Sequence, residues 1–165
     1  MGRIRGAFRL ETVQSAAATV AVASLVLGFF ASIGLRLFPS LSPAALWPVL
    51  VALALCGAGA GMATVARGHG IDRIRWEVAQ DPLVTSAERE HAHREAERER
   101  RWAGTVFFVA PVALAYWAAY QLPPGAGIAA TGLLALVPIA GYTMGLLAAH
   151  WRWRERPPGV ADRRP

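Results

Sequence analysis

Three stretches of the chain, 12–35, 37–66 and 102–151, contain no Asp, Glu, Lys or Arg, and the charged residues fill the gaps between them. Uncharged apolar runs longer than about 18 residues are candidates for crossing a bilayer. The first run predicts a membrane span over residues 15–35. The second follows the breaker cluster FPSLSP, where Pro39 and Pro43 mark a turn. It predicts a span over 45–66, with Pro48 accommodated in the first helical turn. The third run is too long for one span. Its one convincing turn is QLPPGAG at 121–127, because paired Pro and Gly terminate helices. That leaves spans over 103–120 and 128–149, each close to the ~20 residues that a hydrocarbon core of about 30 Å requires.

Residues 67–102, between the second and third spans, divide at Asp81-Pro82. Before that point Ile71, Ile74 and Val78 share a helical face, with Trp76 to its side and Arg75 intruding. A short helix lying in the headgroup region is expected there. After it, Thr85-Ser86-Ala87-Glu88 has capping-box spacing and opens a highly charged stretch without Gly or Pro. Glu90 with Arg94 and Glu97 with Arg101 are i, i+4 pairs in the favourable direction, whereas Arg94 with Arg98 and Glu95 with Glu99 oppose them. Nothing interrupts the helix at Trp102. Residues 86–120 therefore read as one rod about 50 Å long, projecting about 25 Å beyond the bilayer. Ala92, Ala96 and Ala103 give it only a narrow apolar seam. Such a rod is either a solvated, charge-laced helix or a docking handle that a partner subunit reads, since it serves no folding need within the bilayer.

Composition agrees with the pattern. Hydrophobic residues make up 55% of the 165, and charged residues 17%, below the roughly 25% typical of soluble domains. This excludes a soluble enzyme domain, a disulfide scaffold and a disordered tail. The first apolar segment has no small-x-small site before Arg36, and its core is long for a secretory signal, so a retained anchor is expected. The net charge is +6 and every basic residue is Arg. Residues 1–14 carry a net +2, 67–101 balance to zero and 152–165 carry +3. With a cytoplasmic N-terminus, all of the 17 arginines except Arg36 fall inside, and the positive-inside bias decides for that orientation. Phe38, Trp47, Trp117 and Tyr120 then lie at the outer interface, and Trp102, Trp151 and Trp153 at the inner. The basic tail is expected to meet anionic lipid rather than nucleic acid, for which there is no recognition motif.

Candidate chemistry is sparse. Gly57 with Gly61 and Gly141 with Gly145 are GxxxG patterns, whose small residues let helices approach closely, inside this fold or against another chain. AGAGM at 58–62 faintly repeats as AGYTM at 140–144. Pro111 and Pro138 lie midway down the third and fourth spans, where freed carbonyls can line a cavity or merely kink a packed helix. No ionisable carboxylate, Lys or Arg lies inside any span, which disfavours ion and proton pathways. Thr64, Thr131, Tyr116, Tyr142 and Thr143 offer hydroxyls alone. Cys56 reads as a small buried apolar side chain. His91 and His93 diverge by about 200° on a helix and so cannot share a metal, and His69 with His150 sit at the membrane edge, a poor place for axial haem ligands.

The expectation is an all-α integral membrane protein. Four transmembrane helices form two hairpins (15–66 and 103–149), with N- and C-termini inside. A basic segment (1–14), a charged helical segment (67–102) and a basic tail (150–165) face the cytoplasm of a bacterial inner membrane. The expected role is a non-catalytic accessory or assembly subunit without metal or cofactor. It would dock to protein subunits, or to copies of itself, through the faces of Gly57, Gly61, Gly141 and Gly145 and through Glu90, Arg94, Glu97 and Arg101. The alternative is a small oligomeric transporter or channel with its pathway near Pro111 and Pro138.

Overall fold

A computed structural model describes residues 2–37, 46–122 and 127–154, with side chains from Thr12 to Arg152. The Pro39 and Pro43 turn, Phe38, the centre of the QLPPGAG turn, the Trp153 ring and the tail beyond Arg154 lie outside the described residues. Four helices account for almost all of the rest: α1 (Gly2–Leu37), α2 (Leu46–Gln80), α3 (Ser86–Tyr120) and α4 (Ile128–Arg154). Each is long and apolar enough to cross a membrane. No strand occurs among the described residues.

All four helices overrun the apolar stretches 15–35, 45–66, 103–120 and 128–149 that predict them. α1 already begins at Gly2 and α2 continues to Gln80. The segment carrying Ile71, Ile74 and Val78 is thus not a separate helix lying in the headgroups but the last turns of α2. The physical reason is the lack of a breaker. Gly68 and Gly70 are tolerated inside a helix, and nothing stops α2 before Asp81, whose helical conformation is disfavoured by Pro82. There the Asp81 side chain accepts a hydrogen bond from the Leu83 amide at 2.9 Å, an Asx turn. Thr85 then caps α3 in extended conformation. Its hydroxyl accepts from the Glu88 amide at 3.4 Å, while the Glu88 carboxylate accepts from the Thr85 amide at 2.9 Å.

α2 lies at the centre and touches the other three helices. It runs antiparallel to α1, where the backbone of Ala17 and Ala21 closes on Gly59, and a side chain at Gly28 would meet Ala52 and Leu114. It also runs antiparallel to α3. Towards the end of the bundle where Leu37, Leu46, Tyr120 and Ile128 bound the helices, Val49 and Leu53 of α2, Leu114 and Ala118 of α3, Leu134 of α4 and Leu35 of α1 form the apolar core. Phe29 stacks on Trp117 there, ring centroids 5.0 Å apart. Leu27, Phe30, Val109, Leu136, Met144 and Leu147 face outward and are exposed. In water such a surface would be a large liability, whereas against lipid tails it is the expected exterior.

Candidate helix seam and interaction surface

Both glycine motifs meet each other. α2 and α4 run parallel, and a Cβ built on Gly57 would fall on the Pro138 carbonyl and 2.9 Å from the Tyr142 amide nitrogen. On Gly61 it would fall on the Tyr142 carbonyl and 2.9 Å from the Leu146 nitrogen. From the other side, a Cβ built on Gly141 would lie 2.5 Å from the Ala54 carbonyl oxygen, and one on Gly145 would fall on that of Ala58. These are backbone contacts, so only the missing side chains make the approach possible. Gly57, Gly61 and Gly145 are buried. The glycine faces are therefore spent inside the chain and do not offer a docking surface. Close approach was legible in the spacing; its partner was not.

The same seam places polar groups. Thr64 donates its hydroxyl proton to the Ala60 carbonyl at 2.9 Å and lies 3.3 Å from the Tyr142 hydroxyl. With the Thr64 proton so engaged, Tyr142 is the donor between them. Phe108 of α3 meets the Tyr142 ring edge-on at 5.3 Å. Pro111 and Pro138 are fully buried, and Pro138 lies against Gly57. Ser32, fully buried, donates to the Phe29 carbonyl at 2.7 Å. The Trp117 indole N–H finds no acceptor among the described residues. Cys56 is buried and free.

Beyond the seam, the charged ends of α2 and α3 pair with each other. Arg67 reaches Glu99 at 2.8 Å, Arg100 reaches Asp72 at 3.4 Å, and the Arg75 guanidinium donates to the His93 ring. Arg89 donates to the Asp81 carbonyl at 2.9 Å. Ile71, one turn from both Arg67 and Arg75 on α2, is buried, only 4% exposed. The charged half of α3 thus does have a folding role: it covers the last turns of α2. Burial of Ile71 is worth more to that pairing than exposed ion pairs, whose median is about 0–1 kcal/mol.

Glu90, Arg94, Glu97 and Arg101 do not take part in the pairs with α2 described above. Glu90 meets Arg94 at 3.7 Å and Glu97 meets Arg101 at 3.7 Å, each one turn apart on α3. Glu90 and Arg94 are both 71% exposed. His91 lies 3.9 Å from Glu95, and His93 lies 3.6 Å from Glu97. No group of three or more His, Cys, Asp or Glu among the described residues is arranged to hold a metal ion.

At the start of the charged region, His69 of α2 is half-buried. Burial lowers its pKa from the ordinary histidine value, and His150 and Arg100 lower it further, while Asp72 acts the other way. Glu88 is the other perturbed group in this region: the hydrogen bonds from the Thr85 amide and hydroxyl lower its pKa. No protein-family model matches the chain, and no curated protein or solved structure does.

Proposed function

We propose that this chain is a non-catalytic accessory or assembly subunit of a larger membrane complex. In this reading α1–α2 and α3–α4 are two transmembrane hairpins in a bacterial inner membrane, with both termini cytoplasmic, as the arginine distribution favours. The paired ends of α2 and α3 then form a stalk on the cytoplasmic side. The docking surface is the charged face of α3 that carries Glu90, Arg94, Glu97 and Arg101.

One observation carries the reading. The residues of α3 that hold α2, Glu99, Arg100 and His93, differ from the four that present an alternating charge pattern to solvent. The fold has little use for those four, because an exposed i, i+4 pair contributes only a few tenths of a kcal/mol. A partner helix with the opposite charge order fits such a face and gains specificity from it. With the glycine faces closed inside the bundle, this exposed charged face is the surface we assign to recognising another chain.

The test exchanges the charges within each pair: Glu90→Arg, Arg94→Glu, Glu97→Arg and Arg101→Glu together. Net charge and the two i, i+4 pairs are retained, while the contact of Glu97 with His93 is lost; helical circular dichroism and membrane fractionation of the variant check folding and insertion. The expected result is loss of the co-purifying partner from gently extracted membranes. A partner retained at wild-type stoichiometry overturns the docking assignment.

A further inference from the structure

Arg36 is the one arginine that the charge-based orientation leaves across the membrane from the others. It stands exposed in the last turn of α1, where the helix end offsets at most about half of its charge. No carboxylate offsets the rest. Residues 12–71 and 100–154, which include both connections at that end of the bundle, contain no Asp or Glu. α1 and α3 run in the same direction, and the stack of Phe29 on Trp117 sets their relative level. Arg36 follows Phe29 by two turns and Gln121 follows Trp117 by one, each staying near the face that makes the stack. The helical rise then places Gln121 about 6 Å and Arg36 about 10 Å above the two rings. Below the cation are two unspent hydrogen-bond donors. The Trp117 indole N–H is enclosed without an acceptor. The Gln121 side chain is only 3% exposed, and its amide makes no hydrogen bond among the described residues. Buried donors are seldom left so. Lower still, Phe29 and Phe30 of α1 are 40% and 65% exposed.

We propose that the line where α1 meets α3 binds one glycerophospholipid with an anionic headgroup. Its phosphate sits on Arg36, one ester carbonyl accepts from the Gln121 amide, and an acyl chain lies over Phe29 and Phe30. Guanidinium is the side chain best shaped for phosphate oxygens. The ester carbonyls hang from the glycerol just below the phosphate, in the same order as cation above amide. With its nitrogen held by the lipid, the Gln121 amide turns its oxygen back to the Trp117 N–H one turn below, and both donors are spent. A zwitterionic headgroup fits less well, because its ammonium finds no carboxylate at this end of the chain. The bilayer is the phase that touches Phe29 and Phe30, so the anion and the apolar chain arrive in one molecule. This site lies at the opposite end of α3 from the docking face and requires no partner protein.

The full chain in detergent, given equimolar phosphatidylglycerol and phosphatidylcholine of equal chain length, reports the site by native mass spectrometry of the lipid it retains. Phosphatidylglycerol should be kept in preference. Arg36→Gln should lower its retention about tenfold or more, as for a hydrogen bond to a charged group. Arg152→Gln, which removes an exposed arginine at the charged end of α4, should leave that retention unchanged. Equal losses in the two variants mean general attraction of anionic lipid to basic segments, and overturn the site. A second comparison needs no variant. The unmodified chain should keep diester phosphatidylglycerol over its diether analogue, which lacks the carbonyl, by about two- to tenfold, the worth of one neutral hydrogen bond. Gln121→Leu, similar in size, should erase that difference. Equal retention of diester and diether by the unmodified chain, or a difference that survives in Gln121→Leu, overturns the site.

Discussion

Gly61→Ala is the sharpest perturbation of the α2–α4 seam. The added methyl would fall on the Tyr142 carbonyl and 2.9 Å from the Leu146 nitrogen. Both are backbone atoms of α4 and cannot rotate away, so the helices must part by about 1 Å to restore an ordinary contact. A gap of that size forfeits a quarter to a half of the dispersion attraction between facing atoms. In lipid that attraction is what holds helices together, because apolar side chains gain little by leaving the hydrocarbon. Overpacking of this kind costs about 1–3 kcal/mol. Replacing Gly by Ala also favours a helix by up to about 1 kcal/mol, which would mask part of the loss. Gly132→Ala supplies that correction: it lies inside α4, the helix that Gly61 packs against, and its new methyl would meet nothing within 4 Å. Equilibrium unfolding in mixed micelles, followed by helical circular dichroism, should place Gly61→Ala about 1–3 kcal/mol below Gly132→Ala. Gly145→Ala on top of Gly61→Ala should add less than its single effect, since the first change has already opened the seam. Equal stability of Gly61→Ala and Gly132→Ala would refute the close approach of α2 and α4.

Tyr142→Phe keeps the edge contact with Phe108 and removes only the bond to Thr64; in the same unfolding assay it should cost about 0.6 kcal/mol, the usual value for such a bond in a membrane. Ile71→Ala should lower the stability of the α2–α3 pairing by about 2–5 kcal/mol, against about 0.2–1 kcal/mol for Glu99→Gln; hydrogen exchange over 67–102 would show the reverse order if ion pairs dominated. Thr85→Ala should increase exchange in the first turn of α3, with a cap loss of about 1 kcal/mol. Because the folded-state pKa of Glu88 is lowered, its contribution to that turn is present above the unfolded carboxylate value and is lost as pH falls through the folded one. Protection there that is unchanged on acidification, or lost on raising the pH, contradicts the capping box.

The four spans were legible because charge and hydropathy report the bilayer. At the end of the bundle opposite the charged one, where Pro and Gly punctuate the chain, the expected limits lie close to the helix ends Leu37, Leu46, Tyr120 and Ile128. At the charged end the same signal failed, since a helix does not stop where its residues become polar. α1 overruns to Gly2 and α2 to Gln80. The apolar face of Ile71 was visible, but a stripe of that width looks the same whether lipid or another helix covers it. Here Ile71 is buried inside the chain, and Arg67 with Glu99 is a pairing that no local spacing announces. The Thr85 and Glu88 cap was readable because all of its atoms lie within one turn. The glycine motifs announced a close contact, yet not that each would be the other's partner.

Native mass spectrometry of the chain, tagged at its own chromosomal locus and extracted gently in lipid, tests the subunit role most directly. The expected spectrum shows the chain in a fixed ratio with at least one different membrane protein, and that species disappears when the charges of Glu90, Arg94, Glu97 and Arg101 are exchanged. A spectrum containing the chain alone, as a monomer or with copies of itself, contradicts the proposed role.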